Sequence, residues 1–337
     1  MTYIAKTVGF KPGERNVFFH ILTACNLSCS HCYINHKQHG ENSLTKEQII
    51  EWLQLFVDKK KKTNLILLGG EPTLHRDLPH VITEAKKAGF FVTVDTNGFL
   101  FNDFLNKISP NSLDYLSFSL DGPNAEVNDP IRGKSVFDTC VKNIRRAVSM
   151  GFSVSVIFTT SLRNKDFLHK MVPLLVELKV KKFFIQVIGL RGKSAQHNIE
   201  SRVKQVQVSR EEWLKIVPEV ALQAAARGIE VTYPKVFLDK DELFECAGNV
   251  AENFFIFPNG RVYKCPLCED YPVNAYHIEN NKLIATGGLT EESFFALDIK
   301  EGCVMNKLLQ PDNIEYDKDG GVVHRISCCL LKEQINL

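Results

Sequence analysis

Between residue 17 and about residue 235, apolar positions follow two alternating periods. Short runs rich in β-branched and aromatic residues read as strands: NVFFHIL (17–23), NLILLGG (64–70), FFVTVDT (90–96), DYLSFSL (114–120), SVSVIFTT (153–160) and KKFFIQVI (181–188). Between them, apolar residues recur at helical spacing in 44–60, 77–89, 137–151 and 166–179, with Gly89 and Gly151 where helix C-caps belong. A last helix is expected over 209–228, capped by Ser209 and carrying Glu211 and Glu212 in its first turn. Six strand–helix units in succession predict a parallel sheet with right-handed crossovers, open or curled into a barrel.

After residue 235 the alternation stops. Cysteines then stand at 246, 265, 268, 303, 328 and 329, six of the ten in the chain, among short strand-like and turn-rich stretches. This predicts two domains, an α/β unit over 1–235 and a smaller cysteine-rich unit over 236–337 held by metal more than by a large core. Composition adds little. Charged residues are 24%, hydrophobic residues 44%, and the formal net charge is +2, so neither nucleic acid nor membrane is indicated as a partner. The lysine run at 59–62 reads as a solvated helix end. The first residues lack the apolar core of a signal peptide, and no later stretch is apolar enough to span a bilayer, which predicts a cytoplasmic protein. Because that compartment keeps thiols reduced, clustered cysteines there point to metal or catalysis, not to disulfides.

The densest cluster is CNLSCSHCY (25–33), with Cys25, Cys29 and Cys32 beside His31 and Tyr33. Thiolates take soft or borderline metals. A structural zinc site closes four ligands, and His31 or His20 could complete one, so zinc stays open. An odd triplet suits an iron–sulfur cube better, with three irons on thiolates and the fourth left for another ligand. The triplet also follows the first strand, at the C-terminal mouth where parallel α/β folds place their chemistry.

CNLSCSHC resembles the CxxxCxxC signature of the radical S-adenosylmethionine (radical SAM) superfamily. GGEP (69–72), TNG (96–98) and SLDG (119–122) follow in family order, each closing the next strand. The resemblance covers roughly residues 15–235 and implies a partial (β/α)6 TIM-type barrel. It implies that Cys25, Cys29 and Cys32 hold a 4Fe-4S cluster whose fourth iron is chelated by S-adenosylmethionine (SAM). Reductive cleavage of SAM would then release a 5′-deoxyadenosyl radical. Gly69 and Gly70 would let the backbone approach the SAM amine, Glu71 would accept from it, and Pro72 would stiffen the turn. His31 and Tyr33 would flank the adenine. Ser119, Asp121 and Arg132 match positions where relatives hold the SAM carboxylate or ribose, although capping and a plain ion pair would also explain them. Asn97, Thr159, Thr160 and Gln186 would face the same mouth, while Cys140 reads as core.

Thirteen residues separate Cys246 from Gly260, and four separate Gly260 from Cys265. This is similar to the opening C-x9-15-G-x4-C of SPASM and twitch extensions, which carry auxiliary 4Fe-4S clusters, and PNG would form the turn of a hairpin. A full SPASM extension needs more cysteines than these six. The resemblance therefore implies one twitch-like auxiliary cluster, on Cys246, Cys265 and Cys303 with Cys268, Cys328 or Cys329 as fourth ligand; zinc on the same thiols is the alternative. A loop after the sixth strand, with Lys193, His197 and Arg202, would contact substrate.

The implied activity is hydrogen-atom abstraction from a substrate, in peptide or protein modification, or in small-molecule biosynthesis. A non-catalytic electron carrier or scaffold is a further alternative. Implied partners are a reductant such as flavodoxin or ferredoxin and a peptide or small-molecule substrate. Many peptide-modifying relatives begin with a leader-binding domain. Here the first strand starts near residue 17, so a peptide would be recognised by a separate protein or by the C-terminal unit.

Overall fold

A computed structural model describes residues 6–8, 14–99, 103–195, 206–309 and 313–335. Its strands are β1 Lys6–Val8, β2 Glu14–His20, β3 Lys62–Leu68, β4 Phe91–Thr96, β5 Tyr115–Ser119, β6 Val154–Thr160, β7 Lys182–Val187, β8 Glu230–Pro234, β9 Phe237–Asp239, β10 Glu252–Ile256, β11 Arg261–Tyr263, β12 Tyr276–Glu279, β13 Lys282–Ala285, β14 His324–Ile326 and β15 Lys332–Ile335. Six longer helices accompany them: α1 Lys46–Gln54, α2 Leu78–Lys87, α3 Ala125–Arg132, α4 Val136–Ser149, α5 Leu168–Glu177 and α6 Arg210–Ala225.

All strands but β9 and β14 join one sheet, in the order β1-β15-β8-β7-β6-β5-β4-β3-β2-β10-β11-β12-β13. From β2 through β8 every neighbour is parallel, the topology of a partial TIM-type barrel. Each strand sends alternate residues to opposite faces. Val17, Phe19, Leu65, Leu67, Val92 and Val94 pack outward against Ile49, Leu53, Val81 and Ile82 of α1 and α2, forming the main core. The other face lines a lumen, and its residues are half-buried: Phe18, Ile66, Asp95, Ser119, Thr159, Phe184 and Gln186. Local signals agree with this outcome. Ser209 caps α6 in a reciprocal pair with Glu212, and Thr45 and Gln48 do the same for α1. α1 ends at Gln54, so the lysine run at 59–62 lies in the turn entering β3 and is not a helix end.

The sheet continues beyond residue 235. β10 adds parallel to β2, with Phe18 stacked on Phe255 at 4.5 Å between centroids. The β10–β11 hairpin turns at Gly260, as PNG predicts. At the other edge β15 pairs antiparallel with β8. The two parts of the chain therefore share one sheet, and Val236, Phe237, Ile256, Val262, Ile278 and Ile335 join the main core, while Phe255, Phe257, Tyr263, Leu267, Cys268, Cys303 and Met305 form a second, smaller cluster. The seam beside β2 is aromatic. Phe257 lies between the rings of His20 and His39, at 3.9 and 3.7 Å, and edge-on to Tyr263. Burial holds both imidazoles well below the usual range, His39 down to about 3, so these rings pack as neutral groups. No described helix is long and apolar enough to cross a membrane.

Because Phe257 is fully buried between three rings, Phe257→Ala is expected to cost about 3–5 kcal/mol by leaving a cavity at this seam. Denaturant unfolding would read this as a lower midpoint at unchanged slope; a change under about 1 kcal/mol would mean that the seam repacks.

Candidate functional site

The cysteine loop leaves β2 at the C-terminal mouth of the sheet and is held from three sides. Beneath it lies the turn after β3. The Gly70 N–H donates to the Leu22 carbonyl at 3.0 Å, and the Glu71 N–H to that of Ala24 at 2.9 Å. The approach is so close that a Cβ on Gly70 would sit 2.1 Å from the Ala24 oxygen, so only glycine fits. On the second side is the C-terminus of α3. The Ser30 N–H donates to the Ile131 carbonyl, and the Cys29 Sγ lies 3.8 Å from that of Arg132. On the third side, the Lys193 N–H donates to the Cys32 carbonyl, and Gly192, with φ +57°, passes against Cys32 and Tyr33 where no side chain would fit.

Glu71 is fully buried and its carboxylate takes four donors from within the protein, three on Oε1 and one on Oε2. It accepts from the Thr73 N–H and hydroxyl at 3.1 and 2.6 Å, the Thr96 hydroxyl at 2.7 Å and the Asn97 N–H at 2.7 Å. It thus ties the end of β3 to the end of β4. Burial pushes its pKa up, and these donors pull it back. Asn97 extends the tie, with its side-chain amide 2.8 Å from Asn26 Oδ1 and 3.7 Å from Cys25 Sγ. Pro72 begins the short turn that follows.

Asp121, fully buried after β5, pairs with Arg132 at 2.7 Å and lies 3.3 Å from His31 Nε2, while its other oxygen accepts from the Thr159 N–H. Asn128 and Asn164 hold its backbone. His31 and Tyr33 diverge: Tyr33 hydrogen-bonds His20 at 2.7 Å and lies under the Arg191 guanidinium, 4.7 Å from its ring centroid. Thr159 and Gln186 are register partners on β6 and β7, and Ser119 lies on the same lumen face. The buried Thr160 hydroxyl has no hydrogen-bond partner among the described residues, and Cys140 is core beneath Gly98. His197 and Arg202 lie outside the described residues.

The later cysteines divide into two groups. Cys246, Cys265, Cys303, Cys328 and Cys329 line a single cavity of about 460 Å³, partly open to solvent, with Phe294, Phe295 and Met305 in its walls. Cys268 lies behind Cys265, its thiol against Glu291. Burial pushes Cys25 and Cys246 up to about 11 and Cys303 well above the ordinary thiol range, so these thiols are protonated until a metal displaces the proton. Among the described residues no three His, Cys, Asp or Glu side chains converge on a point suited to one ion. The thiol lining of the cavity suits an iron–sulfur cube, and zinc on the same thiols is the alternative.

A model of the radical SAM superfamily matches residues 20–168, the span that carries the cysteine loop, the Glu71 turn, Asp121 and Arg132. Residues 20–168 form a radical SAM domain. Among sequence relatives, a probable GTP 3′,8-cyclase of Saccharolobus solfataricus is 32% identical over 165 residues, 48% of this chain and 53% of the relative. An Fe-coproporphyrin III synthase of Methanosarcina barkeri is 32% identical over 184 residues, 52% of this chain and 45% of the relative. The chain spans about half the length of these curated relatives. Among solved structures, Streptococcus suis SuiB bound to precursor peptide SuiA superposes with a TM-score of 0.63 at 13% identity, covering 91% of this chain and 66% of SuiB. The structure of anSMEcpe with bound AdoMet gives 0.58 at 14% identity, covering 80% and 75%. These two establish the shared fold.

Several residues around this site escaped the sequence reading: Asn26, Asn128, Asn164 and Glu269. Asn26, Asn164 and Glu269 act through contacts distant in sequence, such as Glu269 with Arg191 at 2.8 Å, and Asn128 accepts from the Asp121 N–H, seven residues earlier. Gly70→Ala is expected to displace the cysteine loop and lower iron retained after anaerobic reconstitution by about half, whereas Gly287→Ala, with nothing within 4 Å of its added Cβ, leaves it unchanged. Equal iron in both variants would show that the turn does not hold the loop.

Proposed function

We propose that this chain is a radical SAM enzyme in which Cys25, Cys29 and Cys32 hold a 4Fe-4S cluster and the surrounding turns hold SAM. The observation that carries this reading is the convergence, at one sheet mouth, of three reduced thiols with the Gly69–Pro72 turn and the buried Asp121–Arg132 pair. Once bound and reduced, this cofactor pair supplies a carbon-centred radical that takes a hydrogen atom from the substrate. The chain's own part is to position and to shield. Glu71, held by four internal donors, fixes the floor of the site, beside the backbone of the turn that the amine of SAM would meet. Asp121 keeps Arg132 in place beside Cys29, and Thr159 and Gln186 offer polar groups at the lumen mouth.

In the same reading, Cys246, Cys265, Cys303 and Cys328 hold one auxiliary 4Fe-4S cluster. Charge on any one of them is felt by others of the set, Cys303 responding to Cys328, Cys265 and Cys246. Cys329 lines the same cavity and also bears on the charges of Arg191 and Lys332. The substrate is a peptide or protein in the first reading, supported by a fold shared with SuiB, which was solved with a precursor peptide. A small-molecule substrate is the second reading, favoured by the names of the two sequence relatives. Either way the enzyme works in the cytoplasm with a flavodoxin- or ferredoxin-type reductant.

The reconstituted protein is expected to hold about eight irons, to show one paramagnetic signal shifted by SAM, and to form 5′-deoxyadenosine. Cys29→Ala should lose the SAM-sensitive signal and SAM cleavage but keep the other signal, and Cys303→Ala should do the reverse for the auxiliary signal. Loss of all iron in Cys29→Ala with an intact circular dichroism spectrum would overturn the two-site assignment.

A further inference from the structure

The lumen face carries two opposite charges, Asp95 and Lys332, that are not joined to each other. Lys332 begins β15, in register with Pro234 of β8, and its Nζ lies 3.9 Å from the centre of the Phe184 ring. Phe184 is on the lumen face of β7, since its neighbours Phe183 and Ile185 are buried in the core against the helices. Across the lumen Asp95 occupies the corresponding face of β4, with Ser117, its register partner on β5, hydrogen-bonded to it. Among the described residues neither Asp95 nor Lys332 makes an ion pair within 4.0 Å, although each feels the other's charge. On the same face Lys182 of β7 and Glu230 of β8 pair with each other at 3.0 Å, and Cys329 and Cys328 also bear on the Lys332 charge; the other neighbours are apolar or uncharged: Phe18 of β2, Ile66 and Leu68 of β3, Ile157 of β6 and Thr232 of β8.

An ammonium held in a lumen without a counter-ion is costly, and a protein keeps such a group where a ligand completes it. Burial pulls Lys332 down to about 8 and pushes Asp95 up to about 7, the signature of charges that the fold leaves uncompensated. The aromatic face beside the ammonium suits the carbon skeleton of a bound molecule more than it suits water.

We propose that Lys332 receives a carboxylate of the substrate in the barrel lumen, with the Phe184 ring packing against the adjoining carbon skeleton and Asp95 and Ser117 accepting from its polar groups. This rests on the reading of the chain as a radical SAM enzyme, because only then does the lumen face the reacting carbon. The carboxylate belongs either to a free acid or to an acidic side chain of a peptide; Lys332 reads the same group in both. Lys332 is the specificity determinant that the sequence motifs omit: it lies outside the span matched by the superfamily, on β15 between β8 and β1.

The test is thermal unfolding of the anaerobically reconstituted protein, wild type beside Lys332→Met and Lys332→Arg, with three probes: phenylacetate, its neutral isostere phenylacetamide, and a capped tripeptide carrying one glutamate. We expect Lys332→Met alone to raise the midpoint by about 2 °C, as removal of an uncompensated charge should. Phenylacetate or the acidic tripeptide should stabilise wild type and Lys332→Arg but not Lys332→Met, and phenylacetamide should stabilise none of them. Whichever acid acts tells a free acid from a peptide. If Lys332 only balances the charge of an auxiliary cluster, Lys332→Met lowers the midpoint and shifts that cluster's paramagnetic signal, and neither acid distinguishes the variants; that result overturns the proposal. Absence of 5′-deoxyadenosine from wild type with SAM and dithionite would overturn the catalytic reading separately, whatever the probes do.

Discussion

The architecture at the sheet mouth depends on the carboxylate of Glu71. Strand ends in a parallel sheet have no intrinsic reason to stay together, since each feeds a loop that leaves for a crossover helix. Glu71 removes that freedom by accepting donors from its own turn and from the end of β4, all between 2.6 and 3.1 Å. Hydrogen bonds to an ionised acceptor in a buried site are roughly twice as strong as neutral ones. The floor they make is rigid, and the cysteine loop hangs from it by two backbone bonds, to Leu22 and Ala24. Had the carboxylate been left for a ligand, four donors would have lost their partner.

Two other acidic residues of the barrel show how differently the fold treats charge. Asp121 is fully buried and fully used, by Arg132, His31 and the Thr159 N–H. Breaking such a set by removing one member leaves an uncompensated charge, so it serves as fixed scaffolding next to Cys29. Asp95 is given a single hydroxyl partner and an ammonium that stays out of reach. The first arrangement is complete without any ligand. The second is not, and that contrast, more than any shift in pKa, separates framework from recognition surface.

Much of this was legible in the sequence because the relevant signals are local. The period-two runs at 64–70 and 153–160 became β3 and β6, since alternation encodes which face is buried regardless of what lies opposite. Ser209 and Gly260 acted where their backbone preferences put them. What could not be read is the part made by long-range pairing. The turn-rich segment after residue 235 looks separate because its strands are short, yet β10 finds its partner in β2, more than two hundred residues earlier in the chain. Lys332 was invisible for the same reason: a lysine opening a four-residue strand is ordinary until β8 turns it into a lumen. Glu71 was read as an acceptor for a ligand amine; the donors around it in the fold come from Thr73 of its own turn and from Thr96 and Asn97 at the end of β4, a meeting no local motif announces.

The late strands also explain why the two cysteine groups belong to one device. Arg191 reaches from the loop after β7 to the Pro266 carbonyl and to Glu269, while its guanidinium covers Tyr33, one residue after Cys32. The Gly192 N–H donates to Asp270, which also receives Asn35 from the far end of the cysteine loop. The segment that follows Cys265 is thereby clamped to the segment that follows Cys32. At the opposite edge, Cys328 and Cys329 lead within three residues to Lys332. Neither cysteine group can move without disturbing the lumen wall between them. A substrate seated there would touch a surface whose shape is set by both groups at once, so their separation is fixed by the sheet and not by a linker.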